Sequence, residues 1–157
     1  MDERKEALKR RTKAFASSVV RFYIGLDKSR EEIRVLGKQL LRSGTSVAAN
    51  FREASRARSE AEFISKIEQC AQEADESQLW LELLQDDCGV PAKNVEPIWR
   101  EADELIAIFV TMSKNTKKRL NRVLKNDFST TFSCKKPNDF DGRFFKTWLF
   151  QHPVNDC

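Results

Sequence analysis

Four stretches of the chain repeat apolar residues at three- and four-residue spacing, the pattern of helices that each bury one face. Over residues 3–26 the stripe is Leu8, Phe15, Val19, Tyr23 and Leu26, and Asp27-Lys28-Ser29 breaks it. Ser29-Arg30-Glu31-Glu32 then reads as a capping box, the serine hydroxyl satisfying a free amide and Glu32 reaching back. In the second helix Ile33, Leu40, Val47 and Ala54 hold one heptad position, while Gly37, Gly44 and Phe51 hold the position four residues later. Each glycine weakens an isolated helix by about 1 kcal/mol relative to alanine. Either a neighbouring helix packs closely on that bare stripe, or the chain breaks at Ser43-Gly44-Thr45.

A second capping box, Ser59-Glu60-Ala61-Glu62, opens a third helix with the stripe Phe63, Ile67, Cys70, Ala74, Ser77, Leu81 and Leu84. Gly89 and Pro91 supply its stop. Asn94 is placed to cap the fourth helix, with Pro97 in its first turn. Its stripe runs Ile98, Ala102, Leu105, Phe109, Met112, Thr116 and Val123, widened by Trp99, Ile106 and Leu120. Four helices with short connections predict an all-α protein, an antiparallel up-down four-helix bundle over residues 1–125. The widened faces exceed what one core needs and point to an oligomer or helix-packing interface at Gly37, Gly44, Phe51, Trp99 and Ile106. Residues 126–157 lose the period and hold Phe128, Phe132, Phe140, Phe144, Phe145, Phe150 and Trp148. They read as an irregular or partly disordered aromatic-rich tail, with a short element around Arg143 to Phe150.

Composition narrows the class. Hydrophobic residues make up 40% of the 157 and charged residues 33%, too apolar for disorder, and five glycines with four prolines are too few for a β-sandwich. The longest purely apolar run, Leu105 to Val110, is far short of the roughly 20 residues that span a bilayer. The start, Met1-Asp-Glu-Arg-Lys-Glu, lacks the apolar segment of a secretory signal, so a cytoplasmic protein without membrane contact is expected. Cys70, Cys88, Cys134 and Cys157 form no Cys-x-x-Cys pair, and His152 is the only histidine. No metal or cofactor is expected, the cysteines should be reduced, and Cys70 reads as a small buried hydrophobe.

Chemistry is sparse. There is no phosphate-binding glycine loop, and the hydroxyls of Ser43, Thr45 and Ser46 have no histidine nearby in sequence, so no catalytic residue is assigned. Glu53, Glu62, Glu73 and Glu76 read as solvated faces and ion pairs with Arg52, Arg56 and Lys66. Charge is more informative. Residues 1–58 carry fifteen Lys/Arg against seven Asp/Glu, residues 59–104 three against thirteen, and residues 105–157 ten against four, giving the net +4. Arg30, Arg34, Lys38 and Arg42 form a ladder four residues apart, Arg52, Arg56 and Arg58 follow, and the first helix adds Lys9, Arg10, Arg11 and Lys13. Such a surface neutralises phosphates without reading sequence. Alternatively it pairs with the acidic third helix, within or between copies.

The run Val35-Leu-Gly-Lys-Gln-Leu-Leu-Arg-Ser-Gly-Thr-Ser-Val-Ala-Ala-Asn-Phe-Arg-Glu-Ala-Ser-Arg-Ala-Arg-Ser resembles the bacterial four-helix bundle proteins encoded by intervening sequences in 23S ribosomal RNA genes. Glu62-Phe63, Lys66, Glu73-Ala-Asp-Glu76, Trp80-Leu-Glu-Leu-Leu84 and Glu101-Ala-Asp-Glu-Leu105 continue the likeness in order, over roughly residues 8–120. Ala48 stands where that family commonly has glycine, and the tail has no counterpart. The resemblance implies a ring-forming bundle, a homopentamer. It also implies kinship with accessory proteins of diversity-generating retroelements, which bind a reverse transcriptase and nucleic acid through basic surfaces. It implies no catalytic residues. The expectation is a non-enzymatic, ring-forming scaffold that binds RNA or DNA electrostatically, through Lys9, Arg10, Lys13, Arg30, Arg34, Lys38, Arg42, Arg52, Arg56 and Arg58. The alternative is a protein–protein adaptor that binds no nucleic acid.

Overall fold

The computed structural model describes residues 3–133, and side chains to residue 125. It contains α1 (Glu3–Gly25), α2 (Glu31–Ala54), α3 (Glu60–Asp86) and α4 (Ala92–Ser133), with no strand among the described residues. Each connection spans only five residues, so successive helices reverse direction and pack as an up-down bundle. Contacts divide the chain into a unit Met1–Leu120, which holds the bundle, and a unit Asn121–Cys157.

All four apolar stripes meet in one core. Phe15 and Val19 of α1, Leu40, Val47 and Phe51 of α2, Ile67, Cys70, Ala74, Leu81 and Leu84 of α3, and Ala102, Leu105 and Phe109 of α4 are all buried. The Phe51 and Phe109 rings sit with centroids 6.1 Å apart, tying α2 to α4. The glycine stripe decides the spacing of α1 and α2. A Cβ at Gly44 would lie 2.7 and 2.8 Å from the Val19 methyls, and one at Gly37 would lie 2.9 Å from Leu26 Cδ1 and 3.1 Å from the Tyr23 ring. Helix α2 runs unbroken through Ser43-Gly44-Thr45, so the close-packing alternative is the one realised.

The helix ends follow the sequence in part. Ser59 caps α3, its Oγ accepting from the Glu62 amide at 3.1 Å, and Glu62 reaches back to the Arg58 amide at 2.8 Å. Gly89 adopts the left-handed φ of +72° after α3, and the Val90 amide closes on the Leu84 carbonyl at 3.0 Å. The expected Ser29 cap does not form. Ser29 instead donates both its amide (3.0 Å) and its hydroxyl (2.6 Å) to Asp27 Oδ1, a local turn that outcompetes the cap, and Arg30 occupies the cap position of α2. Helix α4 begins at Ala92, straight after Pro91, so Asn94 and Pro97 lie inside it and not at its cap and first turn. It also runs on to Ser133, because no glycine or proline interrupts the chain between Pro97 and that point. Residues 126–133, expected to be irregular, are therefore helical; the remainder of the tail, with the element at 143–150, lies outside the described residues.

Candidate nucleic-acid interface

An α-helix turns about 100° per residue, so each four-residue step overshoots one turn by about 40°. The Arg30–Arg42 ladder therefore winds around α2 and does not stay on one face. Arg30 sits at the helix start, donating to the Cys88 carbonyl at 2.8 Å and pairing with Glu32 at 2.6 Å. Arg34 pairs with Glu31 in its own first turn. Arg42 has wound to the α3 flank, where it meets Glu76 at 3.1 Å. Lys38, between them, is exposed and makes no ion pair among the described residues.

The face that does persist has alternating three- and four-residue steps. Arg34, Lys38, Leu41, Thr45, Ala48 and Arg52 form one stripe, immediately outside the glycines that touch α1, and Arg56 follows just past the helix end. Lys9, Lys13, Ala16, Val20 and Ile24 form the matching stripe of α1, immediately outside Val19 and Tyr23. The two stripes make one surface, drawn narrow by the close α1–α2 approach. On it Lys13, Lys38, Arg52 and Arg56 are exposed and unpaired among the described residues, while Lys9 pairs with Glu6 at 3.4 Å. Arg10 on α1 and Arg58 in the α2–α3 connection are also exposed and make no side-chain ion pair among the described residues. Arg11, grouped with these cations by sequence, points the other way. It is held by Glu101 of α4 at 2.7 and 3.0 Å and by Glu104, and those bonds raise its pKa further above the ordinary value.

The opposite face is acidic. Glu68, Asp75, Leu79, Glu82 and Asp86 share a stripe of α3, and Glu96, Trp99, Asp103, Ile106 and Val110 share one of α4. Trp99 donates from its indole to Glu82 at 2.8 Å, and Ile106 is half-buried against the core. Gly37, Gly44 and Phe51 are consumed by packing within the chain, so they offer no surface to a second copy. Of the carboxylates grouped by sequence, Glu53 pairs with Lys66 at 2.6 Å and Glu76 with Arg42, and Glu62 belongs to the α3 cap. Glu73 differs: its Oε2 is buried without a partner, and burial, then Glu76, raise its pKa. Cys70 is fully buried beside the Val47 carbonyl, and burial pushes its thiol up to about 12. Among the described residues no group of His, Cys, Asp or Glu is arranged to hold a metal ion, and no helix is long and apolar enough to cross a membrane.

Residues 5–111 match the family described as 23S rRNA-intervening sequence protein. The chain belongs to that family. A crystal structure of a protein of unknown function from the S23 ribosomal protein family of Bacteroides thetaiotaomicron superposes with a TM-score of 0.63 at 35% identity. The match covers 68% of this chain and 97% of that one. None of the curated proteins matches the chain in sequence. The matched stretch takes in α1, α2, α3 and α4 as far as residue 111, with the basic α1–α2 face and its acidic counterpart inside it.

Proposed function

We propose that this protein is a non-enzymatic helical scaffold that contacts RNA or DNA electrostatically through the outer face of α1 and α2 and assembles with copies of itself into a ring. The observation that carries the nucleic-acid reading is the set of exposed, unpaired cations on one surface: Lys13, Lys38, Arg52 and Arg56. Ion pairs elsewhere in the bundle leave these four without internal work, and cations so placed neutralise phosphates in a manner blind to sequence. Self-assembly is supported by apolar side chains left in solvent on the face away from those cations, Leu79 (48% exposed) on α3 and Val110 (36%) on α4.

Gel-shift titration with generic single- and double-stranded RNA at about 50 mM salt tests the first part, and light scattering on the eluting protein the second. Binding should weaken with a log–log slope of about −0.7 to −0.9 per phosphate contacted. Reversing Lys38, Arg52 and Arg56 together to glutamate should abolish it while circular dichroism shows unchanged helix. An 18.2 kDa monomer at micromolar concentration refutes the ring. The adaptor alternative draws on the charge complementarity of the two faces, which would let the basic face of one copy meet the acidic face of the next. A parent protein that assembles yet retains no RNA or DNA at low salt establishes that alternative.

A further inference from the structure

At the end of the bundle where α1 begins and α2 hands over to α3 lies an open cleft of about 950 Å³. Its floor is apolar: Leu8, Phe51, Ala54, Phe63, Ile108 and Met112 line it, with Phe63 and Met112 half-buried and so reachable from solvent. Its rim is basic. Arg4, Lys5, Arg58 and Arg119 surround it, Arg119 engaging Glu60 at 2.7 Å, while Arg11, also in the lining, is taken up by Glu101 and Glu104. Lys5 donates to the Ser55 carbonyl, and Arg58 makes no side-chain ion pair among the described residues. Ser55 also lines the cleft, and its hydroxyl is buried with no hydrogen-bond partner. The cleft adjoins the basic face in sequence: Arg56 lies between the lining residues Ser55 and Ala57, and Lys9 lies one helical turn from Lys5.

We propose that this cleft takes one unpaired base of a single-stranded nucleic acid, with the adjoining phosphates on the rim cations and the rest of the strand along the α1–α2 face. An apolar floor with an accessible aromatic ring suits a base, whose flat surface stacks on it whatever its identity. A cationic rim suits the phosphates on either side. Duplex nucleic acid cannot enter, because its bases are already stacked and paired. The inference rests on the proposed nucleic-acid binding and adds to it a preference for single strands.

The test uses the full chain and a single-stranded RNA of about ten nucleotides, a length within the footprint of single-strand-binding modules, carrying one 2-aminopurine. The same strand annealed to its complement is the control. The single strand should bind about tenfold more tightly than the duplex at equal salt, with a change in 2-aminopurine emission on binding. Phe63→Leu keeps an apolar side chain and removes the ring, and should erase that preference while duplex binding stays as in the parent. Arg58→Glu, at an exposed position, should weaken the single strand without altering the melting of the fold. Equal affinity for single strand and duplex, or a Phe63→Leu variant that keeps the preference, overturns the cleft assignment and leaves electrostatic binding standing. Absence of binding to either nucleic acid overturns both. A response of the cleft to an acidic, aromatic-containing peptide but not to the strand overturns the assignment in favour of a protein ligand.

Discussion

Substituting the glycines by alanine measures how tightly α1 and α2 are pressed together, because the three helical glycines meet three different surroundings. At Gly44 the new Cβ would lie 2.7, 2.8 and 3.1 Å from Val19 Cγ2, Cγ1 and Cβ. The last distance matters most, since rotating the valine side chain does not move its own Cβ; relief requires the helix backbones to separate. Overpacking of this kind costs about 1–3 kcal/mol, and the gain in helix propensity returns about 1 kcal/mol. The net expectation for Gly44→Ala is a loss of about 1 kcal/mol from those two opposing effects. At Gly37 the clashing atoms are the end of Leu26 and the edge of the Tyr23 ring, which can swing aside, so Gly37→Ala should be close to neutral. At Gly25 nothing lies within 4 Å and φ is not positive, so Gly25→Ala should stabilise by about 0.4–1 kcal/mol. Urea unfolding followed by circular dichroism gives all three values. Pairing Gly44→Ala with Val19→Ala removes the methyl contacts at 2.7 and 2.8 Å but keeps the Cβ contact at 3.1 Å, so the favourable coupling between the two should stay below about 1 kcal/mol. A Gly44→Ala protein stabilised as much as Gly25→Ala would refute the close contact.

Two further perturbations follow from the buried groups. Glu73 has its pKa raised above 4.5 by burial and by Glu76, so the folded state holds that proton more tightly than the unfolded chain. Its contribution to stability therefore falls as pH rises from below 4.5 through the raised value. Glu73→Gln should be more stable than the parent at pH 7 and lose that advantage below about pH 4, where Glu73 is itself neutral in both states; parallel stability profiles across that range would contradict the burial argument. Cys70 and Cys88 are buried, and the Cys70 thiol is pushed up to about 12, so alkylation of both should be blocked in the folded protein and should appear with denaturant. Rapid labelling of Cys70 under native conditions would show that the α2–α3 seam opens.

The bundle was legible because its information is local and repeated: the stripes at Phe15–Val19, Leu40–Val47, Ile67–Leu84 and Ala102–Phe109 all face the core. The misread ends were local contests that periodicity does not decide. Ser29 had Asp27 two residues away as a competing partner, and Pro91 offered an earlier start than Pro97. The basic surface was only half legible. Counting cations identified the segment, but a strict four-residue ladder drifts around a helix, and Arg42 and Arg11 have partners on α3 and α4 that no local reading supplies. The end cleft was not legible at all, since Lys5, Arg58, Phe63 and Met112 come from three helices and a connection.

The pair of serine hydroxyls in the α2–α3 seam, Ser43 and Ser77, buried and 2.9 Å apart, bears on how the two helices choose their alignment. Stripes that repeat every seven residues can in principle slide past one another by a heptad and still bury apolar surface. Such slippage would set Cys70 or Leu84 against Ser43, exchanging a small polar partner for an apolar one and leaving Ser43 without that bond. Each hydroxyl also reaches a carbonyl of its own helix, Ser43 that of Leu40 and Ser77 that of Glu73, so slippage would cost the one bond between them, about 0.5–1.5 kcal/mol, and Leu84 would not fit the space that two small side chains define. Polarity and size thus act as a key cut for one alignment, which holds the α2 cations and the α3 carboxylates at the positions where Arg42 meets Glu76 and Lys66 meets Glu53.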